Sequence, residues 1–186
     1  RVAVVGVGGV CEQVHYPGFS RVPGVEIVGI CDPNASLREK RSREWGVQAC
    51  FEDIDDLLRE IKPDAVVIAT PNCTHKLLIL KAFAAGSHVL CEKPLGMNLQ
   101  ETKEILEAAQ KTNLRHMTAF TYRFVPALNY LRYLVHSGTL GEIRHARFQR
   151  LQDWGERAIG WRQYFDQAGS GELGDMAIHR IDFAED

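Results

Sequence analysis

The sequence predicts an α/β protein: a doubly wound parallel sheet, followed by the start of an α+β second domain whose sheet is mostly antiparallel. Three observations carry this prediction. Short β-branched runs alternate with amphipathic stretches through residue 121. Those stretches carry recognisable helix starts and stops. Beyond residue 121 the alternation gives way to a different rhythm.

The runs read as strands are RVAVVG (1–6), VEIVGIC (25–31), VQACF (47–51), DAVVIAT (64–70), SHVLCE (87–92) and RHMTAF (115–120). Asn34 is placed to cap the helix ASLREKRSREW, which stops at Gly46, and Asp53 to cap DIDDLLREI, which stops before Pro63. The segment THKLLILKAFAAG closes on Gly86, and Asn98 with Glu101 makes a box-like start for LQETKEILEAAQ. A helix over 125–137 then leads through SGTLG into an extended, alternating run, EIRHARFQRLQ. A loop bearing Trp and Gly follows, then a last helical pattern from Glu172. The expected division is 1–121 for a dinucleotide-binding domain and 122–186 for the start of a substrate and oligomerisation domain. The chain begins inside a strand pattern and ends inside a helical one, so it is expected to be part of a longer protein.

Composition narrows the function classes. With 45% hydrophobic and 25% charged residues the chain is a globular protein rather than a disordered one. A net charge of -2 with interspersed basic residues gives no footprint for nucleic acid. No apolar run reaches the ~20 residues of a membrane span. Five cysteines without a CxxC pair read as reduced thiols, which points to the cytoplasm. The histidines show no metal-ligand spacing, so no metal site is expected. A small-molecule partner is expected.

The loop GVGGVC directly follows the first strand. Gly6 permits a tight turn, Gly8 lets the backbone approach a pyrophosphate, and the amides of Gly9, Val10 and Cys11 open the following helix, with Val7 between the glycines. The third fingerprint position holds Cys11 instead of Gly or Ala. A merely structural glycine turn is the plainer alternative, disfavoured by the strand-to-helix setting. Asp32 closes the second strand, where a carboxylate accepts ribose hydroxyls and repels a 2′-phosphate. NAD is therefore expected. NADP stays as the alternative, because Arg38, Lys40 and Arg41 supply cations nearby.

The string ATPNCTH ends the fourth strand. Ligands in open α/β sheets sit outside such ends, so Ala69, Thr70, Pro71, Asn72 and His75 are placed along the cofactor's path. Thr74 as a helix cap explains only part of the string. At the fifth strand, CEKPLG puts Glu92 and Lys93 on the same sheet edge as the glycine loop. Lys93 would hold a developing alkoxide or donate to a carbonyl, and a cis bond at Pro94 would aim it. An exposed ion pair of small value is the alternative. In GSGELGDMAIHRID, Asp175 and His179 are four residues apart, so one helix face is expected to offer a carboxylate and an imidazole together. Tyr122 and Arg123 follow the sixth strand, with substrate contact and packing both open.

These strings, in this order, resemble the Gfo/Idh/MocA oxidoreductases. The resemblance rests on Gly6 and Gly8, Asp32, ATPNCTH, CEKPLG, Tyr122 to Phe124, and GELGDMAIHRID. It implies a Rossmann domain, a catalytic set of Lys93, Asp175 and His179, and a cofactor role for Trp161 and Arg162. It also implies hydride transfer between NAD(P) and a secondary alcohol or ketone of a sugar, inositol or related polyol. A homo-oligomer, dimer or tetramer, is implied through a C-terminal sheet absent from this sequence. Two alternatives within the family stay open: a co-repressor-like dinucleotide sensor without turnover, and an NAD-dependent dehydratase or glycosidase.

Overall fold

Short apolar runs pair side by side when each offers β-branched side chains to both faces and backbone groups to a neighbour. The computed structural model describes residues 1–151 and 158–186. Its strands are β1 (Val2–Val5), β2 (Ile27–Cys31), β3 (Cys50–Phe51), β4 (Ala65–Ile68), β5 (His88–Cys91) and β6 (His116–Thr118). All pair in parallel, in the order β3-β2-β1-β4-β5-β6. Every strand read from the sequence is present, trimmed at ends that leave the ladder. The chain turns back at β1 and sets out again at β4, so the two halves of the sheet part between these strands, where such folds bind dinucleotides.

The two layers follow from the two faces of the strands. Ala3 and Val5 pack with Val66, Ile68, Val89 and Cys91 on one face, under helices α3 (Ile54–Ile61), α4 (His75–Ala84) and α5 (Leu99–Gln110). Val2 and Val4 pack with Ile30 and Val67 on the other. That face is covered by α1 (Tyr16–Phe19), entered through a π-helical turn at Cys11–His15, and by α2 (Ala35–Trp45). Each fully buried aliphatic side chain contributes about 1.5–3 kcal/mol relative to exposure. Cys11 is wholly buried here, and burial pushes its thiol up to about 12. The larger residue at the third fingerprint position thus coincides with a π turn, an insertion frequent at functional sites.

Local capping fixes the helix ends. Asn34 accepts from Leu37 N–H at 3.0 Å, and Gly46 ends α2 in the left-handed region at φ 68°. Asp53 accepts from Asp55 N–H at 2.7 Å to start α3. Asn98 accepts from Glu101 N–H at 3.0 Å, and Glu101 reaches back to Met97 N–H at 2.9 Å, one residue earlier than in a capping box. Thr74 offers no side-chain cap to α4; its hydroxyl lies 2.8 Å from Pro71 O.

The rest of the chain holds 3-10 turns at Thr121–Phe124 and Trp161–Gln163, helices α6 (Pro126–His136), α7 (Phe165–Ala168) and α8 (Ile178–Glu185), and a second π turn at Leu173–Ala177. The extended run read over 142–152 forms no strand in its described part, 142–151. A strand needs a hydrogen-bonding neighbour, and none of the described residues supplies one. The antiparallel sheet expected for this half is therefore not seen among the described residues. Gln152 and residues 153–157 of the loop that follows lie outside them.

Candidate active site

Ladder bonds continue past the strands and set the site's floor. Gly6 N–H donates to Cys31 O at 2.8 Å, Ala69 N–H to Val5 O at 2.8 Å, and Glu92 N–H to Ile68 O at 2.9 Å. The glycine loop, the ATPN string and the EKP string therefore leave the sheet side by side at its carboxyl edge. Between them opens a cleft of about 380 Å³. Gly8, Gly9 and Val10 line one side, Ala69, Thr70 and Asn72 the floor, and Glu92, Lys93 and Asp175 the far end. Trp161 and Arg162 complete its lining.

Each glycine answers to a different physical demand. Gly6 has φ 85°, and a Cβ there would stand 2.4 Å from Ala69 O. At Gly8 and Gly9 an added Cβ would meet nothing within 4 Å and the backbone is not in the left-handed region. Nothing in the chain demands a glycine there, whereas a phosphate approaching the backbone does. The helix that follows has no side-chain cap at Val10, so its first amides are left for an anion. Asp32 takes Val7 N–H at 3.0 Å on Oδ2 and Asn34 N–H at 2.9 Å on Oδ1, which fixes the carboxylate beside the loop with lone pairs to spare. These residues fit an adenine dinucleotide.

The three cations near Asp32 separate. Arg41 is 4% exposed, bonded to Glu12 at 2.6 Å, to Glu44 at 2.5 Å and to Val7 O at 3.3 Å. It braces the glycine loop from behind instead of facing a ribose. Lys40 pairs with Glu44 at 3.7 Å. Arg38 lies against Asp32, donating to its carbonyl.

At the far end, Lys93 Nζ donates to Asp175 Oδ1 at 2.7 Å and Asp175 O at 2.6 Å. The other carboxylate oxygen faces Arg162 Nε at 3.3 Å. Burial pushes the Asp175 carboxyl up, and Lys93 with Arg162 more than reverses this, holding it below the usual range. The Lys93–Pro94 peptide is cis. His179 does not border the cleft; it is 8% exposed, stacked on Tyr122 with centroids 4.9 Å apart and edge-on to Phe120. Burial first, and then the charge of Lys93, hold its pKa below the ordinary 6.5. Its Nδ1 is buried without a partner among the described residues, which makes the imidazolium costly in the same direction. Asp175 sits in the π turn and His179 in α8, so the carboxylate turns to Lys93 and the ring to the aromatic pair. Both groups feel the charge of Lys93.

A profile described as the oxidoreductase family with an NAD-binding Rossmann fold matches residues 1–120. The chain belongs to the Gfo/Idh/MocA oxidoreductase family. Residues 128–186 match that family's C-terminal domain. The chain is 35% identical over 158 residues to a levoglucosan dehydrogenase of Pseudarthrobacter phenanthrenivorans, covering 83% of this chain and 40% of that protein. It is 32% identical to a D-glucoside 3-dehydrogenase of Escherichia coli, covering 99% of this chain and 52% of that one. Among solved structures, an oxidoreductase domain protein from Kribbella flavida superposes with TM-score 0.89 at 32% identity, over 99% of this chain and 52% of that one. A levoglucosan dehydrogenase in complex with NADH and L-sorbose superposes at TM-score 0.85 and 30% identity, over 99% of this chain and 51% of that one. The chain thus spans about half the length of the curated relatives it matches.

Within this Gfo/Idh/MocA chain, several residues named from the sequence stand away from the cleft. His75 is fully buried behind it, its ring nitrogens 2.8 Å from Pro94 O and 3.0 Å from Thr70 O. It joins the EKP and ATPN loops instead of lining the cofactor's path. Arg123 spends its donors on Asp182, at 2.7 Å and 2.9 Å, and pairs with Asp186 at 3.1 Å. Packing, the second of the two roles open for Tyr122 and Arg123, is what the contacts show. Pro71 likewise does not border the cleft. Sequence reasoning passed over Gln13, which lines the cleft one turn beyond Gly9, and His15, which meets Glu92 at 2.8 Å. Helix spacing from the glycine loop offered a signal for Gln13. None existed for His15, whose partner is 77 residues away.

His75 also gives the fold a pH dependence. Burial lowers its pKa from 6.5, partly opposed by its two carbonyl partners. Between the lowered value and the ordinary one, the unfolded chain takes up a proton that the native chain refuses, so stability falls as pH drops. His179 acts in the same sense. The urea midpoint is expected to be lower at about pH 5.5 than at about pH 7.5, before carboxylates protonate. An unchanged midpoint would count against a neutral buried His75.

Proposed function

We propose that this chain carries the dinucleotide site and the proton-handling groups of an NAD-dependent dehydrogenase acting on a secondary alcohol, or its ketone, of a sugar or other polyol. The observation that carries the reading is the Lys93 ammonium, pinned by Asp175 at the end of the glycine-lined cleft with an uncharged His179 in its electrostatic reach. Two Lys93 N–H bonds go to Asp175, which leaves the third for a substrate oxygen. Bound NAD supplies a hydride acceptor. In the oxidative direction the carbinol carbon loses hydride while its hydroxyl proton passes toward the uncharged His179, which feels the Lys93 charge without bordering the cleft, and Lys93 holds the oxygen as charge gathers on it. Asp175 keeps Lys93 aimed. Relatives named as dehydrogenases of levoglucosan and of D-glucosides support a sugar-like substrate.

The same proposal divides the chain at residues 121 and 122, and places it in the cytoplasm, where its five unpaired cysteines stay reduced. No described helix is long and apolar enough to cross a membrane. A homo-oligomer, dimer or tetramer, is proposed through a C-terminal sheet outside this sequence. The test is to incubate the full-length protein with NAD and a panel of sugars and polyols and follow NADH absorbance. Reduction with at least one polyol is expected. Tightly held dinucleotide with no net reduction across the panel would replace this reading with a sensor or a transient-redox enzyme.

A further inference from the structure

One buried pair in the cleft has no part in the proton chemistry above. His15 Nε2 lies 2.8 Å from Glu92 Oε1, and the two side chains are 6% and 13% exposed. The other oxygen, Oε2, accepts from Lys93 N–H at 3.3 Å. The pair ties the helix that follows the glycine loop to the tip of β5, and Glu92 borders the cleft beside Lys93. Burial pushes the Glu92 carboxyl up, and His15 and Lys93 more than reverse this, so it stays ionised. The nearby Asp175 charge is taken up by Lys93 and Arg162.

An ionised carboxylate in a mostly dry place costs several kcal/mol before its partners are counted, a cost that a neutral side chain would not carry. Charge itself is therefore the property to explain. The two redox forms of a nicotinamide differ by one positive charge on the ring. A fixed anion in a partly dry cleft binds the cationic form better, because low dielectric leaves their attraction poorly screened. We propose that Glu92, held in place by His15 as a positioning residue, raises the affinity of this site for NAD+ relative to NADH. This rests on the dehydrogenase reading, in which the ring lies at the Lys93 end of the cleft. Its consequence is a site poised for oxidation that lets reduced cofactor go.

The test measures dissociation constants of NAD+ and NADH for the full-length protein by calorimetry, with thermal melts to confirm folding. In Glu92→Gln, NAD+ binding is expected to weaken about tenfold while NADH binding changes less than about twofold. That change in ratio raises the midpoint potential of the bound two-electron couple by about 30 mV. His15→Phe, which strips Glu92 of its partner and lets burial protonate it, should reproduce the shift. His15→Gln, which keeps a donor, should retain the wild-type ratio. Equal losses for both dinucleotides in Glu92→Gln would make Glu92 a brace and overturn the inference, as would an unchanged ratio. The ratio decides this point even where no polyol is oxidised, so the inference and the dehydrogenase reading fail separately. Wild-type protein that binds neither dinucleotide would overturn both.

Discussion

Replacing Lys93 by Met is expected to lower kcat by about a thousandfold or more while NAD affinity stays within a few-fold of wild type. A thousandfold loss corresponds to about 4 kcal/mol of transition-state stabilisation. That size is reasonable for removing a cation from a site where Lys93 and Asp175 are each 12% exposed. Methionine keeps most of the stem's volume, so the packing of the EKP loop is preserved. Two bonds to Asp175 disappear, which leaves that carboxylate facing Arg162 alone at 3.3 Å. With Lys93 gone, burial would raise the Asp175 pKa, so part of the lost activity should depend on pH. Steady-state kinetics on an accepted polyol, with NAD binding measured by calorimetry, separates the effects. Turnover near wild type would remove Lys93 from the mechanism. A parallel collapse of NAD binding would make it a structural support for the dinucleotide cleft.

The parts of this fold that the sequence announced are those governed by local rules. Asn34, Asp53 and Asn98 cap the helices they precede because their short side chains reach amides two or three residues on. The six parallel strands follow from β-branched runs spaced by helices. The edge that gathers Gly6, Ala69 and Glu92 follows from parallel pairing, since every strand then ends on the same side. What stayed hidden depends on long-range partners. His75 reads as a first-turn histidine near a ligand path, and only the fold brings Pro94 O to its ring. Arg41 reads as a cation for a phosphate, and only the packing of α2 on the glycine-loop helix brings Glu12 to it. The π turns at Cys11–His15 and Leu173–Ala177 leave no periodic mark, because one inserted residue per turn resembles ordinary helix in a short window. The second of them holds Asp175, whose pairing with Lys93 joins residues 82 apart in the chain.

Gly6→Ala and Gly8→Ala are expected to fail in opposite ways, although both change one fingerprint glycine by one methyl group. At Gly6 the new Cβ would stand 2.4 Å from Ala69 O and 2.7 Å from Ala69 C, and the backbone sits at φ 85°. The obstacle is backbone at the end of β4, which cannot swing aside without breaking the Ala69 N–H bond to Val5 O. Strain and clash together should cost about 4 kcal/mol, among the larger single-residue effects. For a chain of this size that lowers Tm by roughly 10 °C. At Gly8 the methyl meets nothing within 4 Å and φ is ordinary, so Tm should move by less than about 2 °C. Yet that methyl points into the space where the phosphates must approach the backbone, and NAD affinity should fall at least tenfold. Thermal melts and NAD titrations on both variants read the two effects independently. A Gly8→Ala variant that binds NAD as well as wild type would show that the open space beside this loop is not where the pyrophosphate lies.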